Sequence, residues 1–262
     1  MTDLRIFSYL PNPRLFKAII AARFSGAQVE TVGGAPLDLI NWHWDYNAKA
    51  LSDEDKVALS DEARDASIGF KGVKLYKSDA FLKAHPFGNV PAGFIDGGQV
   101  GIFESNSIMR AAARVGTQPH TLLGANEIEL TRIDSFLDRS LVFARDLQHY
   151  LLAGDNLTEQ LHSEMASELA AFASGIDLAL QYDTYIAGDE ISLADICVVC
   201  DLCQLTYEKS HTDRFEELGI EPLLPNLRPY RALGRHLKRL AKDARFSADL
   251  NRYFDKMLPL YD

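Results

Sequence analysis

The sequence predicts an α/β domain at its amino-terminal end followed by an all-α helical bundle domain. Three observations carry that prediction. Residues 4–32 run strand, helix, strand. Residues 79–116 run helix, strand, strand, helix. From about residue 125 onward every periodic segment repeats as a helix does. The first domain is expected over 1–116 with an insertion at about 33–78, and the second over 125–262. The boundary falls in TQPHTLLG, residues 117–124, where proline, glycine and threonine gather.

The elements follow in order. LRIFSY, residues 4–9, reads as a strand, and LPNPR as a turn. LFKAIIAARFSG is an amphipathic helix that stops at Gly26, and AQVETV is a second strand. Two strands joined through a helix imply a parallel pair with a right-handed crossover. The stretch 33–78 reads as irregular. Its segment SDEDKVALSDEARD suits an exposed helix capped by Ser52, with acidic residues in the first turn. Its aromatic residues Trp42, Trp44 and Tyr46 have two readings: an insertion folded onto the domain, or a wall for an apolar substrate. DAFLKAHPF gives a short helix ended by Pro86. GNVPAGFIDGGQVGIFES is a hairpin opened by Val90-Pro91 and turned at Asp96-Gly97-Gly98, and SNSIMRAAARVG is a helix ending at Gly116. Four long helical segments follow, over 125–152, 157–181, 192–209 and 225–240.

Composition narrows the function classes. Apolar residues make up 47% and charged residues 24%, the balance of an ordinary soluble globular protein. No apolar run approaches the roughly 20 residues that span a bilayer, and MTDLRIFSYL lacks the pattern of a signal peptide. A net charge of −10 and a pI near 5.2 argue against nucleic acid or an anionic membrane as partner. Three cysteines, Cys197, Cys200 and Cys203, are few and odd in number, which points to a reducing, cytoplasmic location. Their C-x-x-C-x-x-C spacing lies inside the helical pattern ADICVVCDLCQL, so they read as small buried thiols rather than a redox pair. No histidine pairs with them at zinc spacing, and no metal site is expected.

The motifs sharpen the α/β order into a thioredoxin-like domain. HPFGNVPAGFIDGG, residues 85–98, followed by GIFESNSIMR, residues 101–110, resembles the glutathione-site signature of the cytosolic glutathione transferase family. LFKAIIAARFSGAQVE, residues 15–30, and YIAGDEISLADICVV, residues 185–199, look like the transferase-like domain of the gamma subunit of elongation factor one. The resemblance covers residues 4–30 and 79–240 and omits the insertion. That subunit carries a further large domain, so the chain is expected to be the transferase module standing alone.

The resemblance implies a site for glutathione. Pro91 is expected to be cis, turning Val90 so that its backbone exchanges two hydrogen bonds with the cysteinyl unit, as an added strand would. Glu104 and Ser105 lie between a strand and a helix start, where free N–H groups and the positive dipole end suit the γ-glutamyl carboxylate. Ser105 would assist that carboxylate, and also reads as a helix cap, while Glu104 would take the ligand's ammonium group. Asn89 stands where the family places Gln or Lys, facing the glycine end. A free thiol has a pKa of about 8.5, so activation needs a hydrogen-bond donor or positive charge at sulfur. Ser8, Tyr9 and Asn12 are the candidates near the end of the first strand, with Arg14 as a nearby positive charge. Neighbours on a strand face opposite sides, so at least one of Ser8 and Tyr9 points into the core. Phe136, Phe143 and Tyr150 recur every seven residues on one helix face, read as core or dimer contact before substrate pocket. Ser192 and Asp195 form a capping box.

The leading expectation is a glutathione transferase: glutathione as co-substrate, a small apolar electrophile as second substrate, a homodimer, and a role in detoxification. The alternative is a non-catalytic binding or scaffold module of the same fold. A disulfide-exchange enzyme would need a cysteine in the first loop, which has none. No phosphate-binding glycine loop and no G-x-S-x-G occurs.

Overall fold

The computed structural model describes residues 2–66 and 72–262. The chain divides into two units, Met1–Pro119 and His120–Asp262.

In the first unit, β1 (Leu4–Phe7) is shorter than the predicted strand, and α1 (Pro13–Ser25) starts two residues before the predicted helix. The physical reason is local: Asn12 takes the N-cap position and Pro13 the first turn, where its missing N–H costs nothing. The helix closes on Gly26 at φ 74, as the sequence implied. β2 (Val29–Val32) pairs parallel to β1, Leu4 opposite Val29 and Phe7 opposite Val32.

The insertion is not irregular, which corrects the sequence expectation. β3 (Trp42–Trp44), β4 (Lys49–Ala50), β5 (Ala63–Asp65) and β6 (Lys74–Lys77) form a second sheet in the order β4-β3-β6-β5, with β3 and β6 parallel. Residues 67–71 of the predicted insertion lie outside the described residues. Between β4 and β5, α2 (Asp53–Ala58) has the expected cap: Ser52 and Asp55 bond reciprocally. The helix ends at Ala58, well before the end of the predicted charged segment. Trp44 is 1% exposed and meets Phe7 and Phe81 edge-on at 5.4 and 6.0 Å. Trp42 stacks on Phe7 and Tyr46 meets Phe94 edge-on. The aromatic residues therefore fold the insertion onto the main sheet.

α3 (Asp79–Ala84) leads to β7 (Ala92–Ile95), β8 (Val100–Ile102) and α4 (Ser105–Val115). The main sheet has the order β2-β1-β7-β8, with β7 antiparallel to both neighbours.

The second unit is helical: α5 (Glu127–Leu151), α6 (Glu159–Tyr182), α7 (Leu193–Leu205), α8 (Thr212–Leu218), α9 (Arg231–Leu240) and α10 (Ala244–Met257). Two of these, α8 and α10, lie outside the four predicted segments. Every residue of α7 is buried, including the three cysteines, and burial pushes the Cys203 thiol up, away from thiolate chemistry. Phe143 stacks on Phe172 at 4.1 Å and Tyr150 is fully buried, so these two are core, while Phe136 is half-buried beneath Arg132. Ser192 and Asp195 form the expected capping box. Among the described residues no helix is long and apolar enough to cross a membrane.

Candidate functional site

Register places the site. Phe7 lies opposite Ala92, and Gly93 opposite Ile102. The loop after β1, the loop before β7 and the start of α4 therefore meet at one end of the main sheet.

The loop after β1 is held against β2: the Ser8 N–H donates to the Val32 carbonyl at 3.0 Å and Leu10 N–H to Gly34 at 2.8 Å. A Cβ at Gly33 would sit 1.7 Å from the Ser8 carbonyl oxygen, so only glycine permits this approach. Ser8 and Asn12 are both fully buried. The Asn12 amide donates to the Ser8 hydroxyl at 3.1 Å, while its oxygen accepts the Arg14 N–H at 2.9 Å. Both side chains thus serve the start of α1. Tyr9 is half-buried against the aromatic cluster, and Arg14 is half-buried in the first turn of α1.

The Val90–Pro91 bond is cis, as expected. Pro91 is buried, while Asn89 and Val90 stay half-exposed at the mouth of this loop. Glu104 is exposed and adopts φ 68, a left-handed conformation that costs a non-glycine residue about 1–2 kcal/mol. Ser105 is the first residue of α4 and Glu104 holds the cap position, so Ser105 is not the helix cap. The helix has no side-chain cap and no acidic residue in its first turn. Its leading N–H groups are those that suit an anion.

Two residues escaped the sequence reading. Lys17 on α1 is 1% exposed and donates to the Asn106 side-chain oxygen at 2.8 Å. Lys77 at the end of β6 is buried, donates to the Gly88 carbonyl at 2.6 Å, and lies 4.9 Å from the Trp44 ring centre. Burial pushes its pKa down. His85, stacked on Phe81 at 5.7 Å, is also lowered, by burial first and then by the Lys77 charge. The available signal for Lys17 is its place inside the apolar run LFKAIIAA; nothing local marks Lys77.

This fold defines the class. The solved structures it matches include glutathione S-transferase I bound with lactoylglutathione (TM-score 0.61, 18% identity, 99% of this chain and 100% of that one). They also include glutathione S-transferase I from maize in complex with an atrazine glutathione conjugate (TM-score 0.62, 18% identity, 98% and 99% covered). The chain has the glutathione transferase fold. In sequence it is similar to elongation factor 1-gamma of Artemia salina, 29% identical over 205 residues, and of Drosophila melanogaster, 31% over 204 residues. These alignments cover 77% and 76% of this chain, and the chain spans 38% of each of those relatives. No family model matches the sequence.

Proposed function

We propose that the protein binds glutathione at this end of the main sheet and promotes attack of its thiolate on an apolar electrophile. The observation that carries the reading is the convergence there of Val90, beside its cis proline, with Ser105 at the uncapped start of α4. In this reading the Val90 backbone takes the cysteinyl unit, and Ser105 with the first N–H groups of α4 takes the γ-glutamyl carboxylate. Glu104 takes the ammonium, and Asn89 the glycine end. Tyr9 is the donor to sulfur, because Ser8 and Asn12 are buried and bonded to each other; Arg14 adds positive charge to that loop. Two of the structural neighbours were solved with glutathione derivatives, which supports the ligand class. The cytoplasmic location and the homodimer belong to the same proposal.

A second reading, a non-catalytic binding or scaffold module of the same fold, is favoured by the use of Asn12 as a helix cap and by the likeness to elongation factor 1-gamma. Calorimetry with reduced glutathione, repeated on Ser105→Ala, tests both. Binding that weakens about tenfold in the variant is expected, the worth of one hydrogen bond to a charged group. Conjugation of a chloronitroarene by the wild type, lost in Tyr9→Phe, supports the transferase. Binding without conjugation selects the module. No binding at millimolar glutathione sinks the transferase reading and leaves the scaffold module.

A further inference from the structure

Lysine is among the residues least often buried, and a buried ammonium is costly unless something holds it. Helices also favour cations at their carboxy-terminal ends and anions at their starts. Lys17 goes against both tendencies. It is 1% exposed, and its ammonium donates at 2.8 Å to the side-chain oxygen of Asn106, the second residue of α4. Asn106 is itself 4% exposed, and Ser105 beside it 8%. The chain enters this turn through the left-handed backbone of Glu104. The lysine therefore lies against the positive end of a helix dipole, in a buried position that salt screens weakly.

We infer that Lys17 is a positioning residue for the anionic γ-glutamyl end of the ligand, an inference that rests on the glutathione reading above. Lys17 acts through Asn106. By drawing the amide oxygen toward itself it turns the amide hydrogens away, fixing the orientation of the side chain next to Ser105. Its charge adds to the dipole, so the start of α4 favours a carboxylate more strongly than an ordinary helix start does. The arrangement disfavours ligands that lack a carboxylate at this end.

The test compares glutathione with the analogue in which a γ-aminobutyryl group replaces γ-glutamyl, so that only that carboxylate is lost. Calorimetry on the full chain is expected to show Lys17→Met binding glutathione about tenfold more weakly than wild type. The analogue should bind wild type and variant alike. Asn106→Asp provides a control for folding. It puts an acid in the first turn of α4 against Lys17, which should raise the unfolding temperature while weakening glutathione. Equal losses for both ligands in Lys17→Met would reduce Lys17 to a packing role and overturn the inference, as would unchanged affinity. So would an Asn106→Asp protein that is more stable and binds glutathione as wild type does. A wild-type chain that takes up neither ligand sinks the glutathione reading, and this inference with it.

Discussion

Both units bury polar side chains, and they use them differently. In the helical unit Asp195 accepts the N–H groups of Ile186 and Ser192 at 3.0 and 2.8 Å, and lies 3.1 Å from the His236 ring. Asp201 accepts the Ser140 hydroxyl at 2.7 Å and the Gln204 amide at 3.1 Å. Glu208 accepts the N–H groups of Leu223 and Leu224. These groups tie one helix or turn to another, and they are spread through the unit. In the first unit some buried groups do the same, as where the Ser25 hydroxyl donates to the Ala112 carbonyl at 2.7 Å, but Ser8, Asn12, Ser105 and Asn106 gather where the strands of one sheet end. Burial alone marks a structural network as readily as a site. Convergence at a sheet end, beside a helix start with no cap, separates the two cases.

That contrast predicts opposite consequences of substitution. The largest effect is expected for Asp195→Ala, which strips the capping box and leaves two buried N–H groups unpaired. A loss of about 3 kcal/mol in denaturant unfolding should follow, with glutathione affinity unchanged in the folded fraction. An affinity loss there would break the comparison. A smaller effect belongs to His85. Its folded pKa lies below the unfolded value, so the unfolded chain gains a proton first as pH falls. Stability should therefore decline on acidification through about pH 6.5, down to the folded pKa. His85→Leu should flatten that decline when the unfolding midpoint is followed against pH. A decline as steep as in wild type would remove His85 from its cause. The smallest effect is expected for Glu104→Gly. Glycine relieves the left-handed strain, so the protein should gain about 1 kcal/mol in thermal unfolding while binding glutathione more weakly. A variant both less stable and fully competent to bind would show that Glu104 serves the fold alone.

Much of the main sheet was legible because its signals are local. The β-α-β opening, the Asp96-Gly97-Gly98 turn and the caps at Ser52 and Ser192 all declare themselves within a few residues. The Asn12-Pro13 pair also carried a helix start signal, yet reading it as part of a turn put the start of α1 at residue 15 instead of 13. The second sheet was not legible. Its strands are two to four residues long, too short for alternation to register, and the β3–β6 pair joins segments about 30 residues apart. Within the site, Val90, Pro91, Glu104 and Ser105 were singled out by motif, while Lys17 and Lys77 were missed because lysine is presumed solvated.

By itself the sequence determined the order of elements, the helical character of the second unit and the two loops that face the proposed ligand. Those features depend on residue type and spacing along the chain. Only the tertiary structure decided that the insertion becomes a sheet sharing a core with Phe7, that Asn12 caps α1 while its amide bonds the buried Ser8 hydroxyl, and that two lysines lie buried near the site. Each of those outcomes depends on which distant segments exclude water together. No local pattern encodes that.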